Sequence, residues 1–165
     1  MYEAGFVSYR AGNMSVRTKE GLLITKSGAP LGFLDESLLV AGPLDAPLPG
    51  ASVELPVHQH IYRYTDAAAI IHAHPPFAVV LSLLSEAILP ADTEGALPLG
   101  DVPVIIKSEV SDYLEIAGLL RERVAVLMRG HGSFTRGGSL EEAFSRTSTL
   151  EASCRILYRL SAVEK

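Results

Sequence analysis

The segment Ile70-Ile71-His72-Ala73-His74-Pro75-Pro76 constrains this chain more than any other. Two β-branched residues open it, so Ile70–His74 reads as a buried strand, and two prolines end it at once. Side chains at i and i+2 of a strand leave the same face. His72 and His74 therefore project together from one side of a sheet. They do so at the strand's carboxyl end, where open α/β sheets usually place their ligand sites. Two imidazoles a few ångströms apart offer two nitrogen donors to one metal ion.

A third histidine, His131, stands between Gly130 and Gly132, just after the apolar run Val124–Met128. Flanking glycines permit an unusual backbone path and the close approach of a ligand. Three histidines with one position left open suit a catalytic zinc, whereas a structural zinc is usually closed by four protein ligands, commonly including cysteine. The lone cysteine, Cys154, argues against the structural kind and leaves no internal disulfide to form. His58 and His60 fall on a helix expected over Glu54–Tyr64, with Pro56 tolerated in its first turn. They diverge on that helix, but Glu54 and His58, one turn apart, share a face. A carboxylate beside a metal is a standard general acid–base. His58 is expected behind the metal ligands, and His60 at the surface or in packing.

The remaining pattern begins with short strands at Asn13–Arg17, Leu22–Thr25 and Ser37–Val40, separated by glycine-containing turns. After the Ile70–His74 strand come a helix over Phe77–Leu84, a strand at Val102–Ile106, a helix over Ser111–Arg121 and a strand at Val124–Met128. A last helix opens at the capping box Ser139-Leu140-Glu141-Glu142 and runs to about Ala162. Strands first, then alternating helix and strand, predict an α/β fold with a sheet covered by helices on both sides. The Pro/Gly stretch at 41–50 reads as a loop, and 165 residues without repeats form one domain, 1–165.

Two turns, Ala11-Gly-Asn-Met-Ser15 and Thr25-Lys-Ser-Gly28, together with Ser52 ahead of the Glu54 helix, offer donors to an anion. Ser52 is also placed to cap that helix. The net charge of −5, with scattered lysines and arginines, provides no basic stripe for nucleic acid. The apolar runs are too short for a transmembrane helix. The opening Met-Tyr-Glu-Ala-Gly-Phe lacks the features of a signal peptide, so a cytoplasmic protein is expected.

In order, Gly12-Asn13-Met14-Ser15-Val16-Arg17, Ile24-Thr25-Lys26-Ser27-Gly28, Ala51-Ser52-Val53-Glu54 with His58, His72-Ala73-His74, and Gly130-His131-Gly132 followed by Gly138 and Glu141-Glu142-Ala143 resemble the class II aldolase/adducin-head family. The resemblance implies a three-layer α/β/α fold around a mostly antiparallel sheet. It makes His72, His74 and His131 the ligands of zinc or another divalent transition metal, and Glu54 the acid–base carboxylate. It places Asn13, Ser27, Gly28 and Ser52 where the aldolases hold the substrate phosphate. The activity implied is an aldehyde lyase cleaving a small ketose 1-phosphate, of the fuculose 1-phosphate kind, to dihydroxyacetone phosphate and an aldehyde. Alternatives on the same scaffold are a pentulose-phosphate 4-epimerase, a methylthioribulose-phosphate dehydratase and a non-catalytic adducin-head-like module. Epimerases of this fold favour aspartate at the Glu54 position, and the adducin head lacks the metal ligands.

Two departures stand out. Val53 replaces the second of two serines, and no tyrosine stands near Asp92–Glu94, where the aldolases of this family carry a proton donor. The resemblance also implies a fourfold tetramer with sites near subunit interfaces, so Tyr113 or Tyr158 of a neighbour could donate instead. Its 48% apolar content and a closing helix bearing Leu150, Ile156, Leu157 and Leu160 fit such an assembly.

Overall fold

A computed structural model of the chain describes residues 1–106 and 112–163. The element order is β1 (Asn13–Thr18), β2 (Gly21–Thr25), β3 (Leu39–Gly42), α1 (Leu55–Tyr64), β4 (Ala69–Ala73), α2 (Pro76–Ser82), β5 (Ala87–Ile88), α3 (Thr93–Leu99), β6 (Val102–Ile105), α4 (Asp112–Leu119), β7 (Ala125–Met128), β8 (Gly132–Gly137) and α5 (Leu140–Val163). The eight strands form one sheet in the order β3-β2-β1-β4-β8-β7-β6-β5. It is mixed: β6 and β7 run parallel, and every other neighbouring pair is antiparallel.

Period-two alternation divides the core between the two faces. Ile70, Val126 and Phe134 face Leu55, Ile61 and Tyr62 of α1 and Ile116 and Ala117 of α4. Their neighbours point the other way: Ala125 and Leu127 meet Ala78 and Leu81 of α2, Leu99 of α3 and Leu150 and Cys154 of α5. Ile71 and Ala73 pack with Ala143 at the start of α5. The result is the expected three-layer α/β/α arrangement. β4 lies fourth in the sheet and is buried along its whole length, as its β-branched opening implies. No described helix is long and apolar enough to cross a membrane.

Several elements differ from the sequence reading. The strand expected at Ser37–Val40 begins as a 3-10 turn at Glu36–Leu38, because the Asp35 carboxylate accepts the Ser37 N–H at 2.8 Å; β3 starts only at Leu39. Ser111, the expected start of the fourth helix, lies outside the described residues. Three elements had no counterpart in the sequence reading: β5, α3 and β8. The Gly132–Gly137 strand is hidden by its glycines, yet it sits between β4 and β7 with its Phe134 opposite His72. A Cβ at Gly132 would collide with the Ala73 carbonyl oxygen, so close strand pairing itself requires that glycine. The capping box forms in part. Ser139 Oγ accepts the Glu142 N–H at 3.1 Å, but the Glu142 carboxylate turns to the Gly138 N–H, at 2.6 Å, rather than to that of Ser139.

Candidate metal centre

β4 ends where its histidines begin to act. His72 is buried, stacked on Phe134 with ring centroids 4.4 Å apart. Its Nδ1–H donates to the Ser133 carbonyl oxygen at 3.0 Å, which fixes the tautomer and leaves the Nε2 lone pair facing outward. His74 falls one residue beyond the strand, held by its backbone N–H to the Phe6 carbonyl at 2.8 Å. The Nε2 atoms of His72 and His74 are 2.9 Å apart, as the shared face predicts.

His131 arrives from the turn between β7 and β8. Its N–H bonds the Met128 carbonyl at 3.0 Å, and Gly130 takes the left-handed conformation that tightens the turn, with φ of 66°. The ring stacks on His72 at 5.1 Å. One donor nitrogen from each histidine lies within 4.8 Å of the other two. Nitrogen donors at about 2.0–2.1 Å from a tetrahedral zinc stand about 3.3 Å apart, so the cluster fits one ion. Burial lowers the His72 pKa to about 3 against the opposing pull of the Glu54 carboxylate, and it lowers that of His74 as well. Neutral imidazoles with free lone pairs are the metal-binding form.

Glu54 is the residue at which the chain turns into α1. Its Oε2 lies 3.4 Å from His72 Nε2, and its Oε1 lies 3.6 Å from His131 Nε2. Burial alone would raise its pKa, but the His131 ring and the Asn13 amide beside the carboxylate outweigh it and hold the group below the usual carboxylate range. Asn13 Nδ2 donates to Glu54 Oε2 at 2.6 Å. Ser52 does not sit at the cap position of α1; its Oγ accepts the Glu54 N–H at 3.3 Å in the turn before the helix.

A cleft of about 250 Å³ opens over this cluster, lined by Arg10, Gly12, Asn13, Ser27, Gly28, Ser52, Val53, Glu54, His72, His74 and His131. The fold thus gathers the metal, acid–base and phosphate candidates of the sequence reading, from five separate segments, around one space. Gly12 and Gly28 both adopt positive φ there. At Gly12 a Cβ would stand 2.8 Å from the His72 carbonyl oxygen, so this turn can approach β4 only as glycine. Arg10 was not singled out by sequence; its signal is a cation two residues ahead of the Gly12 turn. His58 is fully buried behind Asn13, and His60 packs against Tyr113 with centroids 4.6 Å apart. Asp92 caps α3 through the Gly95 N–H, and Tyr158 packs on Phe77. Neither these two residues nor Tyr113 lines the cleft of their own chain.

Residues 1–158 match the family model described as the class II aldolase and adducin N-terminal domain. The crystal structure of L-fuculose-1-phosphate aldolase from Thermus thermophilus superposes with a TM-score of 0.95 at 42% identity, covering 99% of this chain and 89% of that one. A probable bifunctional methylthioribose-1-phosphate isomerase/methylthioribulose-1-phosphate dehydratase of Nocardia farcinica is 32% identical over 96% of this chain, which spans only 33% of that protein. The 3-oxo-tetronate 4-phosphate decarboxylase of Escherichia coli is 29% identical, over 96% of this chain and 81% of the enzyme. Sheet, cluster and sequence agree: the chain belongs to the class II aldolase and adducin N-terminal domain family.

Proposed function

We propose that this chain is a zinc-dependent aldehyde lyase that cleaves a small ketose 1-phosphate, of the fuculose 1-phosphate kind, to dihydroxyacetone phosphate and an aldehyde. One observation carries the reading: a carboxylate, Glu54, lies within 3.6 Å of two of three clustered histidines at the floor of a cleft whose rim offers anion donors. His72, His74 and His131 would hold the ion. When bound, a divalent metal supplies Lewis-acid charge to the substrate's carbonyl and hydroxyl oxygens.

Glu54 is placed to move protons as the carbon–carbon bond breaks. It would take the proton of the hydroxyl that becomes the aldehyde and return one to the carbon left behind. Ser27 and Ser52 offer hydroxyls, Gly28 a backbone N–H in a left-handed turn, and Asn13 an amide N–H, to the phosphate of the substrate. Held at both ends, the substrate meets Glu54 in one orientation, which lowers the entropy cost of reaction. The similarity to a fuculose-phosphate aldolase supports this substrate class. The names of the dehydratase and decarboxylase relatives support a second reading, another lyase reaction on a phosphorylated sugar at the same site. The working form we propose is a cytoplasmic homotetramer with neither nucleic acid nor membrane as partner.

The test is release of dihydroxyacetone phosphate from a panel of ketose 1-phosphates, run with zinc-loaded protein and again after chelation. Turnover that vanishes with chelator and returns with zinc is expected. A fully metal-loaded protein that cleaves none of the panel, yet dehydrates methylthioribulose 1-phosphate or releases carbon dioxide from an oxo-tetronate phosphate, would move the chain to the second reading.

A further inference from the structure

Behind the cleft, Glu54 is the last member of a buried row of polar side chains. Tyr62, Ser15, His58 and Asn13 are 2%, 2%, 0% and 5% exposed. They stem from two facing stripes. Asn13 and Ser15 are i and i+2 on β1, and Glu54, His58 and Tyr62 are i, i+4 and i+8 along α1. Tyr62 Oη lies 2.8 Å from Ser15 Oγ, and Ser15 Oγ lies 2.7 Å from His58 Nδ1. His58 Nε2 is 2.6 Å from Asn13 Oδ1, and Asn13 Nδ2 is 2.6 Å from Glu54 Oε2.

Only one polarity satisfies the row. An ionised carboxylate accepts and never donates, so Asn13 must present its NH₂ to Glu54. The amide oxygen then accepts from His58 Nε2–H. A neutral imidazole carries its lone pair on Nδ1, which accepts the Ser15 O–H, and the Ser15 oxygen accepts from the Tyr62 O–H. Reversing the amide would set two acceptors face to face where water cannot intervene. Burial keeps His58 neutral, its pKa brought down to about 4 against the pull of Glu54. At the far end Tyr62 lies under the Arg17 guanidinium, 4.8 Å from its ring centroid. A neutral amide passes no proton along such a row, so the row is a strut and not a wire.

We propose that His58, acting through Asn13, is a positioning residue for the Glu54 carboxylate, with Ser15 and Tyr62 setting its tautomer. This rests on the reading of Glu54 as the acid–base group. It also means that the Asn13 carbonyl is spent on His58, so that only amide N–H remains to meet a substrate anion.

Two measurements test the proposal. In the zinc-loaded, isotope-labelled protein, nitrogen NMR of His58 should show a protonated Nε2 and a pyridine-like Nδ1; the opposite tautomer overturns the row. In the retro-aldol assay, His58→Leu should lower kcat by about 10- to 100-fold. KM should stay within about threefold and zinc content should be unchanged. His58→Gln, whose amide can donate to Asn13 and accept from Ser15, should restore most of the loss. Equal loss in both variants, or a loss that tracks zinc content, overturns the proposal. Should His58→Leu not fold, Tyr62→Phe removes only the far hydroxyl; a smaller fall in kcat supports the row and an unchanged kcat overturns it. A wild-type protein that turns over no ketose phosphate strikes the functional reading alone, and the tautomer then decides the strut.

Discussion

At the residue scale, the site is a meeting of three imidazoles and one carboxylate, and each can be removed separately. His74→Ala deletes a donor 2.9 Å from the next and should empty the site, read as zinc content by elemental analysis of the purified protein. Equal zinc in the variant would remove His74 from the ligand set. Glu54→Gln keeps the shape but cannot take a proton; kcat should fall by a factor on the order of 10² to 10⁴ while zinc content holds. Loss of zinc in that variant would make Glu54 a ligand instead. Arg10 is the only cation lining the described cleft, and Val53, where the family's aldolases carry a second serine, is 83% exposed and offers no hydroxyl. A guanidinium on the rim would offset that lost hydrogen bond through charge. Arg10→Ala should therefore raise KM for a phosphorylated substrate about tenfold with little change in kcat. An unchanged KM would leave the anion to the hydroxyls and the Gly28 turn.

At the element scale, the ligand-bearing turn after β4 is held from behind by α5. The Glu151 carboxylate accepts the N–H groups of Phe77 and Ala78 at 3.0 Å each, in the first turn of α2 and just past His74-Pro75-Pro76. These donors have no partner within a helix that starts at Pro76, so a carboxylate from another helix serves as their cap. Burial raises the Glu151 pKa despite those two hydrogen bonds. Glu151→Ala should cost about 1–3 kcal/mol, measured as a lower midpoint of urea unfolding. An unchanged midpoint would mean that solvent satisfies both donors and that α5 does not hold the turn.

At the scale of the whole molecule, apolar side chains collect where α5 passes the last strand of the sheet. Leu84 and Leu89 are 77% and 66% exposed, and Leu160 on α5 is 46% exposed. Leu84 and Leu89 line a groove with Leu81, Ile88 and Leu157 beside β5, the edge strand. Exposed apolar side chains flanking an edge strand and on a long helix suit burial against further copies. The proposed tetramer should scatter light with four times the 17.6 kDa of one chain. Full activity at the single-chain mass would rule out any site shared between subunits, and with it a donor such as Tyr113 or Tyr158 of a neighbour.

Sequence alone determined what is local. The His-x-His pair on a strand stopped by prolines, the Glu54 helix and the alternation of Ile70–Ile71 were legible because strand and helix periods fix which side chains share a face. The order of short motifs sufficed for the family resemblance and, through it, for the three layers. What only tertiary structure decided is whatever depends on segments far apart in the chain. β8 has too much glycine to read as a strand, and it becomes one because β4 and β7 supply hydrogen-bonding partners on either side. His58 gave no sign of its partner, since Asn13 lies 45 residues away and the bond exists only once β1 packs on α1. Arg10 reads as an ordinary surface cation until the Gly12 turn folds against β4 and makes it part of a cleft. Periodicity records which face a side chain takes, but which faces then meet is set by packing across the whole sheet.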